Sequence, residues 1–115
     1  MDKGESTIEV EDSHILKLVS FIKKILCMSN TDRINYFHSI PETEIKLILE
    51  IITNFLNENI EVDYKSYSLL KRIKFFLYKL VDKKSSIKIK RRLLKSIKGL
   101  QLVAVLFPLA LNTFS

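Results

Sequence analysis

The side chains that most often carry out chemistry are few and scattered in this sequence. His14 and His38 stand in separate parts of the chain, and neither has a second ligand at a metal-binding spacing such as HxxxH or CxxC. Cys27 is the single cysteine, which excludes an internal disulfide. Glu42 and Glu44 stand at a predicted helix start, a position that acids favour without catalysis. No nucleophile elbow or glycine-rich phosphate loop is present. The sequence therefore predicts a protein that is not an enzyme and needs neither a metal nor a cofactor.

Charge is the strongest signal, and it differs sharply between the two halves of the chain. Residues 1–63 carry 6 Lys+Arg and 12 Asp+Glu, whereas residues 64–115 carry 13 Lys+Arg and a single acid, Asp82. The net charges of the halves are −6 and +12. This asymmetry favours a polyanionic partner for the second half and an acidic half that shields it or faces another partner.

The densest run of cations, at residues 83–98, predicts contact with DNA. Lys and Arg side chains neutralise phosphates and release condensed counterions, which gives affinity without sequence preference. The alternative is a solvated helix face with no ligand. The predicted DNA-binding residues are Lys83, Lys84, Lys88, Lys90, Arg91, Arg92, Lys95 and Lys98.

An apolar run follows directly, from Leu100 to Leu111, with only Gln101 polar. Its 12 residues fall short of the roughly 20 that span a bilayer. One interpretation is that it forms the last core helix, bent at Pro108. The other is that it is a separable segment that binds lipid or a partner, with the flanking cations attracting anionic headgroups. The second interpretation assigns membrane or partner contact to Leu100, Leu102, Val103, Val105, Leu106, Phe107, Leu109 and Leu111.

Apolar residues recur at three- and four-residue spacing, which is typical of amphipathic helices. The expected fold is all-α: a small bundle of three main amphipathic helices, a short basic helix and an apolar C-terminal helix. The main helices are predicted at 14–28, 41–57 and 64–82, with a short piece at 32–38 and the basic helix at 87–98, which ends before Gly99. The expected organisation is an acidic flexible tail at 1–12, a helical domain with a basic C-terminal half at 13–98 and an apolar segment at 99–115.

Five aromatic residues of the basic half bear on the choice of ligand. They fall at helical spacing, so most are predicted to be core residues, which argues against stacking on single-stranded nucleic acid. They are Tyr64, Tyr67, Phe75, Phe76 and Tyr78.

Residues 54–111 carry an ordered series of motifs. An Asn-x-Leu-x-x-x-Ile opening precedes a Leu-rich basic helix, then Lys-Lys-x-Ser-x-Lys-x-Lys-Arg-x-Leu-Leu, a Lys-Gly and a Leu-rich tail with a proline. The series resembles a small protein encoded by Polinton/Maverick elements and adintoviruses. In that family the glycine is doubled, whereas Leu100 takes the second place here and removes a flexible junction. The matching positions are Asn54, Leu56, Ile60, Lys83, Lys84, Ser86, Lys88, Lys90, Arg91, Leu93, Leu94, Lys98, Gly99 and Pro108.

The end of the series is also similar to the adenovirus core protein precursor mu family, which condenses packaged DNA. The resemblance implies a sequence-independent DNA-binding virion or core protein of a Polinton- or adintovirus-like element. Its expected partners are duplex DNA, an anionic membrane, and a second copy of the chain or other virion proteins. The alternatives are a membrane-active entry protein and a helical protein–protein interaction module.

The expected location is the virion or the host nucleus. The basic stretch KIKRR at 88–92 matches a nuclear-import pattern. The acidic N-terminus has no apolar stretch of the kind found in secretory signals, so the chain is expected to be intracellular rather than secreted.

Overall fold

Helices account for nearly all the regular structure of this chain. The computed structural model describes the backbone of residues 2–115 and the side chains from Ser13 onward. Within that range there are seven helices and no strand, which confirms the all-α prediction. The helices are α1 (Asp2–Leu26), α2 (Asn30–His38), α3 (Glu42–Leu56), α4 (Tyr64–Arg72), α5 (Lys74–Val81), α6 (Ile87–Leu94) and α7 (Ile97–Phe114).

Short polar side chains set the start of four helices. At each start an oxygen of the capping side chain accepts a hydrogen bond from the backbone N–H three residues later, which satisfies an otherwise unpaired donor. Hydrogen bonds from Ser66 to the carboxylate lower the pKa of the cap Asp63. The four caps are Ser29 before α2, Asp63 before α4, Ser86 before α6 and Ser96 before α7.

The core forms around α7, which packs against α1, α3, α4 and α6. Its buried side chains meet those of α1, and the rings of Phe21 and Phe107 lie 6.4 Å apart between centroids. α2 packs against α6, and α3 packs against α5. The fully buried side chains of α7 are Leu102, Val103, Leu106, Phe107 and Ala110.

Helical spacing predicts a buried stripe along α3 made of Ile45, Ile48, Leu49, Ile52, Phe55 and Leu56. The structure confirms it except that Leu49 and Leu56 are half-buried. Ile45, Ile48, Ile52 and Phe55 are buried. Leu47 and Ile51 are buried as well, so the covered face of α3 is wider than the stripe read from the sequence. The reason is that α3 is enclosed by three helices, α1, α5 and α7, rather than by one.

Two of the predicted helix boundaries are wrong in the first two thirds of the chain. The first helix does not begin at residue 14 as predicted, because the backbone of α1 is helical from Asp2 onward. The expected acidic tail at 1–12 lies outside the residues whose side chains are described, and its flexibility stays a prediction. The helix predicted at 64–82 is divided at Ile73, which ends α4 and precedes α5. In α2, helical spacing predicts that Ile34 and Phe37 both point inward. Phe37 is buried, but Ile34 is 38% exposed.

A third boundary, between the basic and apolar helices, is also wrong. α6 ends at Leu94 instead of residue 98, and Gly99 does not stop a helix but lies in the first turn of α7. Gly99 is buried, and a Cβ built on it would lie 2.6 Å from the carbonyl oxygen of Leu93. The glycine is therefore needed because the first turn of α7 closely approaches the end of α6.

Candidate nucleic-acid interface

The predicted DNA-binding segment folds into a helix with one cationic side. In α6 and the residue that follows it, Lys88, Arg91, Arg92 and Lys95 recur at a spacing of three and four residues, which places them along one face. The stripe covers two helical turns, or about 10 Å at 1.5 Å per residue. Ser86 fixes the start of this helix by accepting a hydrogen bond from the backbone N–H of Ile89 at 3.2 Å.

These four cations line a groove of about 660 Å³ between α6 and the end of α2. His38 of α2, together with Ser86 and Ile89, completes the lining. We call this the cationic groove: His38, Ser86, Lys88, Ile89, Arg91, Arg92 and Lys95.

Two of the groove's cations are held in place by hydrogen bonds to neighbouring elements. The Arg91 Nε donates to the carbonyl oxygen of Ile40 at 3.0 Å, which ties α6 to the link between α2 and α3. The Lys95 Nζ lies 2.9 Å from His38 Nδ1. Because an ammonium only donates, the histidine nitrogen accepts in this contact. The side chains of Arg91 and Lys95 are both half-buried, so they form part of the groove wall and also contribute to its charge.

Lys90 is the clearest departure from the predicted set of DNA-binding residues. It is only 5% exposed, and its Nζ donates to the carbonyl oxygens of Leu80 at 2.6 Å and Asp82 at 2.7 Å. These carbonyls stand at the end of α5, where helix carbonyls have no partner within the helix. Burial lowers the pKa of Lys90, and the nearby charge of Asp82 opposes that shift. In this conformation Lys90 caps a helix and is not available to a phosphate.

Five of the other seven predicted cations are exposed and free to reach a ligand. Ten of the thirteen Lys and Arg side chains of residues 64–115 are exposed, and the exceptions are Lys90, Arg91 and Lys95. From Ser13 onward two ion pairs form, His14 with Glu50 and Lys24 with Glu44. Neither includes a cation of the basic half, so no described carboxylate neutralises that surface. The exposed members of the predicted set are Lys83, Lys84, Lys88, Arg92 and Lys98.

The predicted membrane or partner residues lie mostly inside the bundle. Leu102, Val103, Leu106 and Phe107 are 0% exposed, and Leu100, Val105, Leu109 and Leu111 are half-buried. A membrane could meet the first four only if α7 left its packing partners. The core interpretation of this run therefore describes the folded state.

By length and composition alone, α7 would also be able to cross a membrane. It is the one helix in the described part of the chain with this property, and 33% of it is buried in the bundle. The core helix of a soluble bundle meets the same criteria, so length and composition do not separate the two.

The expectation that most aromatic residues of the basic half are core is wrong. Only Phe76 of the five is buried. Phe75 is 91% exposed and Tyr64 is 87% exposed, and Tyr67 and Tyr78 are about half exposed. In α5, Phe75 and Tyr78 stand opposite Phe76, Leu77 and Leu80, so a helical-wheel analysis of α5 alone gives the correct face.

The groups considered for catalysis remain apart. His14 hydrogen-bonds Glu50 at 2.8 Å, whereas His38 lines the cationic groove and contacts Lys95. From Ser13 onward, no three His, Cys, Asp or Glu side chains converge as metal ligands would. The fold and surface define a small helical protein with a cationic groove and a basic second half of the chain. No family model, curated protein or solved structure matches the chain.

Proposed function

We propose that this protein binds the phosphate backbone of DNA without sequence preference, and that the cationic groove and the exposed lysines around it make the contact. The observation that carries the proposal is the basic half itself: thirteen cations, ten of them exposed, and no ion pair with a described carboxylate. Unpaired cations at this density repel one another. The phosphates of a polyanion neutralise them, and the release of its condensed counterions favours binding further.

The groove supports a backbone contact rather than base reading. A cationic stripe of about 10 Å is long enough to contact a few neighbouring phosphates of one strand. Lys88 and Arg92 are the two exposed cations of the groove. Neither side chain hydrogen-bonds a described residue, so both are free to bind phosphate. A point contact by Lys and a planar contact by Arg both position a backbone without selecting a sequence.

The biological setting belongs to the same proposal and rests on the resemblance of residues 54–111. A DNA-condensing core protein of a Polinton- or adintovirus-like element, located in the virion or the host nucleus, needs this kind of sequence-independent affinity. The all-α fold is compatible with that role and does not select it.

The proposal is tested by the salt dependence of binding to a mixed-sequence duplex. In the Lys88→Gln/Arg92→Gln variant we expect weaker binding and a log–log salt slope that is shallower by about 1.8, since each lost phosphate contact is worth about 0.9. The matched control is Lys17→Gln/Lys46→Gln, which removes two exposed cations from the acidic half. If both variants change the slope equally, binding follows net charge alone and the cationic groove is not the interface.

A further inference from the structure

A second concavity, of about 530 Å³, lies on the other side of α6, between α5 and the start of α7. Two large apolar side chains on it are unusually exposed, Phe75 at 91% and Ile97 at 78%. Lys79 and Lys98 line the same concavity. We name these four residues the Phe75 ledge.

We propose that the Phe75 ledge stacks an unpaired nucleobase, so that the protein binds single-stranded nucleic acid more tightly than a duplex of the same charge. This inference rests on the proposed function, because the cationic groove supplies the phosphate contacts of the same strand.

The fold does not need the Phe75 ring. The core side of α5 is formed by Phe76, Leu77 and Leu80, and Phe75 points away from them. An aromatic ring in this position has an accessible face, which is the surface that stacks on a base. Ile97 adds an aliphatic contact beside the ring.

The charges beside the ring match a nucleotide. Lys79 and Lys98 place two ammonium groups at the concavity that contains the aromatic face. A single strand offers a partner for both groups, since each nucleotide carries a base that can stack on the ring and a phosphate that can bind the lysines. A duplex offers only the phosphates, because its bases are already paired and stacked. The ledge therefore discriminates by strandedness rather than by sequence.

The two concavities are placed so that one strand can use both. Arg92 and Lys95 line the cationic groove, whereas their chain neighbours Leu93 and Ser96 line the concavity of the Phe75 ledge. Only the width of α6, about 10–12 Å with side chains, separates them. A strand that crosses α6 would leave phosphates in the groove and a base on Phe75.

An anionic bilayer is the competing ligand, since it also attracts lysines and accepts apolar side chains. Lys79 and Lys98 share the open concavity with Phe75, and the cationic groove lies across α6, an arrangement that a strand of bases and phosphates can follow. Bilayer insertion depends on apolar area, which leucine largely retains, whereas stacking needs the ring itself. A Phe75→Leu substitution therefore separates the two ligands.

The experiment compares Phe75→Leu with the parent chain by fluorescence anisotropy. The probes are an oligothymidylate of about 15 nucleotides and a duplex of equal charge. We expect Phe75→Leu to weaken oligothymidylate binding about tenfold and to leave duplex binding within about twofold. Tyr64→Leu is the matched control, because Tyr64 is 87% exposed but lies outside the concavity. It should change neither affinity.

A Phe75→Trp variant reports on the ledge directly, since the chain has no other tryptophan. We expect the introduced indole to retain oligothymidylate affinity and to be quenched on binding. Unchanged oligothymidylate affinity in Phe75→Leu overturns the inference while the duplex salt slope still supports the proposed function. A blue shift with phosphatidylserine vesicles, retained vesicle binding in Phe75→Leu and no quenching by oligothymidylate would also overturn it, in favour of a membrane contact. If the parent binds neither nucleic acid at low salt, the proposed function fails first.

Discussion

Two lysines of α6 that are only two positions apart have different roles. Lys88 extends from the exposed face, whereas Lys90 enters the bundle and donates to the Leu80 and Asp82 carbonyls at the end of α5. Arg33 does the same for α1, with its Nε 3.0 Å from the Ile25 carbonyl oxygen. Cations suit helix C-termini because the unpaired carbonyls there carry partial negative charge. Lys90 and Arg33 therefore stabilise the fold, whereas an exposed cation such as Lys88 remains available to a ligand.

At the residue scale, Lys90→Met tests this division. The substitution keeps the apolar stem and removes the donors, so two carbonyls lose their partner. We expect the free energy of unfolding to fall by about 1–3 kcal/mol, measured by urea denaturation. Lys88→Met on the exposed face should change it by less than about 0.5 kcal/mol. Equal effects of the two substitutions would show that the buried ammonium does not support the fold.

At the scale of elements, the junction between α6 and α7 determines how the basic and apolar segments are joined. The side chain of Ser96 accepts a hydrogen bond from the Gly99 N–H at 3.2 Å, which starts α7 with only two residues between it and the end of α6. Gly99 fits because it has no Cβ to collide with the Leu93 and Leu94 carbonyls. The turn directs α6 toward solvent on its cationic side and α7 into the core. The dense charge and the apolar run are therefore neighbours in sequence that occupy different environments.

Gly99→Ala is the sharpest test of this junction because two effects oppose each other. Inside an unconstrained helix the change would stabilise by about 1 kcal/mol. Here the new methyl group would overlap backbone, which cannot rotate away, so we expect a loss of about 2–3 kcal/mol in unfolding free energy. Thermal and urea unfolding both measure it. A more stable variant would mean that the two helices do not approach so closely.

At the scale of the whole molecule, α7 is a structural centre rather than an appendage. It contacts four other helices and contributes Leu102, Val103, Leu106, Phe107 and Ala110 to the core. A bundle of this size has one modest core, so few of its helices are dispensable. The apolar C-terminal run is best understood as the element around which the amphipathic helices assemble.

Truncation of the chain tests that role. The fragment 1–99 lacks the five buried residues of α7 that follow Gly99, and we expect it to lose cooperative unfolding, which circular dichroism would follow during a thermal scan. The fragment 1–111 keeps those five residues and is the matched control, which should melt cooperatively. A 1–99 fragment that stays helical and melts cooperatively would instead show that residues 100–115 are separable from the fold.

Several features of the fold could be read from sequence because they depend on local pattern. The apolar spacing predicts the α3 stripe that includes Ile45, Ile48 and Ile52. The helix starts predicted at residues 41 and 87 lie at or next to the starts of α3 and α6 in the structure. The all-α class follows from the same periodicity and from the scarcity of Gly and Pro. The charge asymmetry needs no structure at all, since it is a property of composition.

What the sequence by itself determined was therefore the helical class, most helix positions and the basic half. Only the tertiary structure decided which cations are buried, why Gly99 is required and that Phe75 faces solvent while Phe76 does not. The physical reason is that periodicity identifies a face that needs covering, whereas the covering is supplied by residues far along the chain. Lys90 is buried by the end of α5, and Arg91 is held by Ile40, across 51 positions of sequence. Such contacts exist only once the helices have packed.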